Sequence, residues 1–169
     1  TEDKMIDAIT APTELYEPTF TYEFGEDPEL PAVSMTLYAA RQYSKWMSIT
    51  TGQQYRIPTE AEWEYAARGG AQTAYDFGND PAKLGDHAWF AGNSNDKGPR
   101  KVGQGPANAF GLHDMLGNVG EWVQDEFKTD GYAALKEKAA QGPLTPFDVM
   151  GKPAVHYPRV VRGGSWQNP

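Results

Sequence analysis

Two carboxylates seven residues apart, Asp114 and Glu121, bracket the stretch DMLGNVGE, in which Gly117 and Gly120 free the backbone to turn. A hard cation such as Ca²⁺ takes roughly six to eight oxygens from carboxylates, backbone carbonyls and water, on a chain able to curl around it. This stretch offers both kinds: side-chain oxygens from Asp114 and Glu121, and main-chain carbonyls between them. It is not an EF-hand, because the regular Asp-x-Asp-x-Asp-Gly spacing is absent. The same residues admit a plainer arrangement, with Asp114 closing a turn through the backbone and Glu121 on the solvent side of a strand starting at Trp122. Phe110 and Trp122 flank the stretch, and that apolar weight predicts a loop anchored to a core.

Other chemistries are more restricted. The 169 residues contain no Cys, so disulfides, thiolate metal sites and cysteine nucleophiles are excluded from this segment. His87, His113 and His156 are scattered without ligand spacing and read as surface or hydrogen-bonded side chains. A formal net charge of −8, with no run of basic residues, argues against a nucleic-acid groove and suits cations better. Neither a signal peptide nor an apolar span of about 20 residues is recognisable, so no membrane span is expected.

The elements that would position the acidic loop can be read in part. With 18 Gly, 13 Pro and a mean hydropathy of −0.66, the composition predicts a loop-rich α+β domain, while 5 Trp, 9 Tyr and 7 Phe predict packed structure. Residues 1–33, punctuated by Pro12, Pro18, Pro28 and Pro31, read as an irregular lead-in with at most an edge strand near Thr19–Phe24. Ser34 is the expected cap of a helix running to about Ser48, on the spacing of Ala39, Ala40, Tyr43, Trp46 and Met47, with Thr51-Gly52 ending it. RIPTEAEWEYAARGG predicts a second helix: Thr59 and Glu62 have capping-box spacing, Trp63, Ala66 and Ala67 form an apolar stripe, and Gly69-Gly70 terminates it. Glu60, Glu62 and Glu64 read as a solvated, well-capped face, with Arg162 a possible partner for one of them. Residues 71–108 read as long irregular structure that something local must tie down. Residues 128–158 read as a surface excursion with a helix over Tyr132–Ala140, and Arg159–Arg162 as a strand that turns at Gly163-Gly164 to deliver Trp166. Trp63, Trp122 and Trp166 are the expected core aromatics.

Three blocks in order, VSMTLYAARQYSKWMSITTGQQYRIPTEAEWEYAARGG, NAFGLHDMLGNVGEWVQDEF and RVVRGGSW, resemble the formylglycine-generating enzyme family, also called the sulfatase-modifying factor family. The resemblance runs from Val33 to Trp166, making residues 34–127 the family core and 159–169 the start of its RGGSW segment. It implies a C-type-lectin-like fold whose long loops are buttressed by Ca²⁺. It also implies a ligand set in the acidic loop: the side chains of Asp114 and Glu121 and the backbone carbonyls of Gly117 and Val119. For a second family calcium site, Asn93, Asn95 and Asp96 are possible donors. Gly120 departs from the family, which usually has a large residue there.

Catalytic members of that family bind Cu(I) through two cysteines and use O₂ to oxidise a substrate cysteine to formylglycine. Here the first cysteine position falls on Asn168 and the second lies beyond Pro169. An amide cannot replace a thiolate toward Cu(I), so copper is not supported by these residues. Other members are iron sulfoxide synthases, ligand-binding proteins and surface scaffolds. The expectation is therefore a calcium-stabilised, non-catalytic module that binds or scaffolds another macromolecule; the alternative is a metal-dependent oxidase whose catalytic residues lie outside the segment. The family domain also begins earlier and ends later than this chain, so a protein partner or the remainder of the same polypeptide is expected to complete the fold. Calcium dependence leans toward an extracytoplasmic location.

Overall fold

The computed structural model describes residues 18–94, 96–149 and 158–169. Most of its regular structure is helical, and a single antiparallel strand pair carries the core. The chain enters through a 3₁₀ turn, Pro18–Tyr22, where an edge strand was expected; the Glu23 and Gly25 amides bond back to the Phe20 and Tyr22 carbonyls, a local pairing that competes with a strand ladder.

Helix α1, Leu37–Thr51, starts about two residues later than predicted because its cap is Thr36, whose Oγ1 accepts from the Ala39 amide at 3.0 Å. Ser34 instead sits at φ 55°, outside helical space. Gly52, at φ 71°, ends the helix in the left-handed conformation. Helix α2, Glu60–Arg68, has the predicted box: Thr59 accepts from the Glu62 amide and the Glu62 carboxylate accepts from the Thr59 amide. Its acids are not merely solvated. Glu62 holds Arg56 through two contacts of 2.5 and 2.7 Å, while Glu60 and Glu64 both hold Arg162, whose guanidinium also lies 5.0 Å over the Trp63 ring.

Strand β1, Glu121–Glu126, pairs with β2, Arg159–Arg162, in the register Glu121↔Arg162, Trp122↔Val161 and Glu126↔Arg159, with an irregularity between Trp122 and Glu126. On the opposite side of β1 the Gln124 amide donates to the Pro58 carbonyl, which fastens the strand to the entry of α2. The buried cluster is Trp63, Val123 and Val160, with Ala67 and Met115 packed against it. Of the three expected core aromatics only Trp63 is buried; Trp122 and Trp166 are half-buried, one donating Nε1 to the Met35 carbonyl and the other meeting Phe24 edge-on at 5.8 Å.

Residues 71–108 contain more regular structure than expected. The 3₁₀ turn Pro81–Lys83 leads into the single-turn helices α3, Leu84–His87, and α4, Ala91–Ser94. The ties that hold the rest are Trp89, which donates Nε1 to the Gly98 carbonyl, and Lys101, which bridges Asp27 and Glu29 at 2.7 and 2.9 Å. In the excursion, helix α5 covers Gly131–Gln141, and the turn Pro146–Val149 follows as α6.

Candidate metal centre

The acidic loop is fixed at both ends by buried asparagines. Asn108 donates Nδ2 to the Ala66 and Ala67 carbonyls, at the end of α2 where helical donors run out, and its Oδ1 accepts from the Phe110 and Leu112 amides. Asn118, 2 % exposed, does the same for residue 100: its Oδ1 accepts from the Arg100 amide and its Nδ2 donates to the Arg100 carbonyl. Between them Gly117 crosses Trp89 so closely that an added Cβ would lie 3.0 Å from the Trp89 nitrogen, at φ 84°. The neighbouring backbone closes on three sides: Gly117 N to Gly163 O at 2.7 Å, Asn118 N to Trp89 O at 2.7 Å, and Trp166 N to Asn118 O at 2.9 Å.

This frame holds two carboxylates. Asp114, itself at φ 55°, accepts from the Gly103 amide through Oδ2 at 2.6 Å, a side-chain bond that ties the loop to residue 103. Its other oxygen, Oδ1, is buried and accepts no hydrogen bond; the Arg100 guanidinium lies 3.6 Å away, within ion-pair range but too far for a hydrogen bond. Glu121 does not face solvent. It turns inward and accepts from Trp63 Nε1 through Oε2 at 2.6 Å. Burial pushes its carboxyl above the usual range; the Trp63 bond works against that rise, and the charge of Asp114 adds to it. Across the loop, the Met115 and Val119 carbonyl oxygens each lie 3.7 Å from the point a Cβ on Gly163 would occupy.

The arrangement thus has an unsatisfied buried carboxylate oxygen, a second buried carboxylate repelled by it, and two carbonyls converging over a bare glycine. Carboxylate and carbonyl oxygens are the donor chemistry that a hard divalent cation such as Ca²⁺ takes. No group of three or more His, Cys, Asp or Glu side chains is placed to hold a metal among the described residues, so backbone carbonyls and water would have to supply most donors. Asp114, Val119 and Glu121 lie along this loop, with the Asp114 side chain on Gly103 and Arg100 and that of Glu121 on Trp63. Gly117 is there as well, with its missing side chain accounting for the approach to Trp89. The Met115 carbonyl, Arg100 and the two asparagines were not foreseen.

The second predicted donor group is arranged differently. Asn93 spends its side chain on the protein, accepting from Phe90 N and donating to Gly85 O and Ala88 O. Asp96 is exposed at φ 59°, and Asn95 lies outside the described residues. His87 stacks on Phe77 with centroids 4.0 Å apart, His113 contacts the Gly105 carbonyl through Nδ1, and His156 lies outside the described residues. At the position of the family's first cysteine, the Asn168 amide nitrogen of the main chain donates to Ser165 O, its Oδ1 accepts from Ser165 Oγ, and its carbonyl accepts from Ala91 N.

A family profile described as the sulfatase-modifying factor enzyme 1-like domain matches residues 12–169. The chain belongs to this family. Its sulfatase-modifying relatives include the formylglycine-generating enzyme of Mycobacterium tuberculosis, 38 % identical over 123 residues that make up 63 % of this chain and 39 % of that protein. The serine/threonine-protein kinase pkn1 of Chlamydia pneumoniae is 39 % identical over 139 residues, 82 % of this chain and 19 % of the kinase. Among solved structures, PvdO from Pseudomonas aeruginosa superposes with a TM-score of 0.66 at 33 % identity, covering 85 % of this chain and 53 % of PvdO. The chain therefore spans between about a fifth and a half of the proteins it resembles, and its helices and small sheet are those of the family fold.

Proposed function

We propose that this segment is a calcium-stabilised, non-catalytic module on a C-type-lectin-like fold that binds or scaffolds another macromolecule, with Asp114, Glu121 and the carbonyls of Gly117 and Val119 as the calcium ligands. One observation carries the non-catalytic part: Asn168, where a thiolate would be needed, is spent on closing a turn with Ser165 in a segment without cysteine. The buried Oδ1 of Asp114, which accepts no hydrogen bond and has only the Arg100 guanidinium at 3.6 Å, supports the calcium part together with the nearby Glu121 carboxylate. Bound calcium would neutralise the two carboxylates and hold the loop against Trp89 and Gly163, presenting a fixed surface. A partner protein, or more of the same polypeptide, completes the fold in this reading, and an extracytoplasmic setting would keep calcium available.

The identity with a formylglycine-generating enzyme motivates a second reading, a metal-dependent oxidase with its catalytic residues outside this segment. Two measurements on the protein purified natively, with whatever further chain or partner accompanies this segment, separate them. Elemental analysis after dialysis against calcium, copper and iron should return calcium alone. Incubation with a cysteine-containing peptide should consume no O₂ above buffer, and conversion of that cysteine to an aldehyde would overturn the non-catalytic reading.

A further inference from the structure

The charge of this chain is unevenly placed. From residue 30 to residue 59 there is no Asp or Glu, although the whole chain carries 23 of them. This acid-free run is α1 and the segment leading to α2, and its only charged side chains are Arg41, Lys45 and Arg56. They line one cleft of about 540 Å³ between the C-terminal half of α1 and residues 52–57. Arg56 is neutralised by Glu62, whereas Arg41 and Lys45, one helical turn apart, hold no ion pair among the described residues. The outward arc of α1 beside Lys45 carries large apolar side chains among the exposed Gln42 and Thr50: Ile49 is 75 %, Tyr43 62 % and Trp46 55 % exposed, and the Tyr43 and Trp46 rings lie 5.6 Å apart. Exposed Trp and Tyr next to unpaired Arg and Lys is the residue mixture of a binding hot spot, and such a patch on a soluble surface marks an interaction site.

We infer that this face of α1 is a docking surface for an acidic segment of a separate protein partner, whose carboxylates meet Arg41 and Lys45 while its apolar side chains cover Trp46 and Ile49. Charge complementarity selects the occupant. On a chain of net charge −8, the acid-free face with two cations that hold no ion pair among the described residues is where an acidic ligand meets the least repulsion. The Ser44 and Ser48 hydroxyls in the cleft already donate to backbone carbonyls, which leaves the cations as its principal free donors. The inference rests on the binding-module reading only in that the module needs a surface to bind with; it does not depend on calcium.

The test uses the full chain and a fluorescently labelled oligo-glutamate as probe, with oligo-lysine as control, followed by anisotropy. Saturable binding of oligo-glutamate that weakens steeply as salt screens it is expected. Lys45→Glu combined with Arg41→Gln should weaken it on the order of tenfold or more, and Lys45→Arg should retain it. The thermal melt of each variant with and without calcium shows whether the fold and the calcium response persist. Absent binding at low salt, equal binding by the charge-reversed variant, or equal binding of oligo-lysine would each overturn the acidic partner. So would concentration-dependent dimerisation abolished by Trp46→Ser, which would give the face to a second copy of the chain. Any of these results alongside an intact calcium shift would leave the calcium-module reading standing.

Discussion

Glu121 does two jobs that a single substitution can separate. Glu121→Gln keeps an oxygen to accept from Trp63 Nε1 but removes the charge that burial opposes. In chelator the variant should melt at or slightly above the wild-type temperature. In calcium at about a hundred times its dissociation constant, the wild type should gain about 2.7 kcal/mol and the variant only a small part of it. Thermal melts in calcium and in chelator check this, and equal gains would remove Glu121 from the ligand set. Gly117 gives a second prediction. Its positive φ and its approach to Trp89 leave no room for a methyl group, so Gly117→Ala should cost about 3 kcal/mol or more in a urea melt. Gly52→Ala, also at positive φ but with nothing within 4 Å of the added carbon, should cost about 1 kcal/mol.

Helix α2 shows what an element gains from local chemistry. Arg56 and the Thr59 amide hold the Glu62 carboxyl down at about 2, well below the ordinary 4.5. A carboxyl held lower in the folded state than in the unfolded one stabilises fully above about 4.5, and that contribution is lost as pH falls toward about 2. The side chain is 43 % exposed, so solvent screening leaves about 1 kcal/mol. Acid titration of wild type and Glu62→Gln should therefore converge only as pH falls to about 2 and separate by that amount at neutral pH. This element was legible in the sequence because the residues that start and stop it lie within it: Thr59, Glu62 and Gly69 act at a range of a few residues. The partners of Asn108 and Asn118 lie 41 or 42 and 18 residues away, so no local pattern announces them. The same limit explains the entry turn, where Pro18 to Tyr22 has strand-like composition but bonds to itself, and Trp122 and Trp166, whose aromatic character reads as core while their surroundings leave them half-covered.

At the scale of the molecule, the described residues bury little apolar surface. Six apolar side chains are buried, and the one compact cluster among them contains Trp63, Val123 and Val160, whereas fifteen large apolar side chains are exposed. A two-stranded sheet and so small a core are marginal in isolation. The chain alone should bind a hydrophobic dye strongly and unfold with a urea slope below that of a compact domain of 169 residues. A weak dye signal with a steep transition would show that these surfaces are covered. The family resemblance was visible from the motif blocks, and it was that resemblance, rather than the spacing of Asp114 and Glu121, that pointed to calcium. The charge asymmetry around α1 emerged only when Arg41 and Lys45 were seen to share a cleft without partners.

The knot of backbone around Gly117 also bears on the order in which the molecule assembles. Residues 89–91, 117–118 and 163–168 meet there through the bonds of Gly117, Asn118, Trp166 and Ala91. Three segments so far apart in the chain can meet only after most loop-closure entropy has been lost, which places the loop late on the folding path. A cation that binds a late-forming loop stabilises the native state without stabilising the transition state. Calcium should thus leave the folding rate nearly unchanged and lengthen the lifetime of the folded chain, acting as a latch closed after assembly.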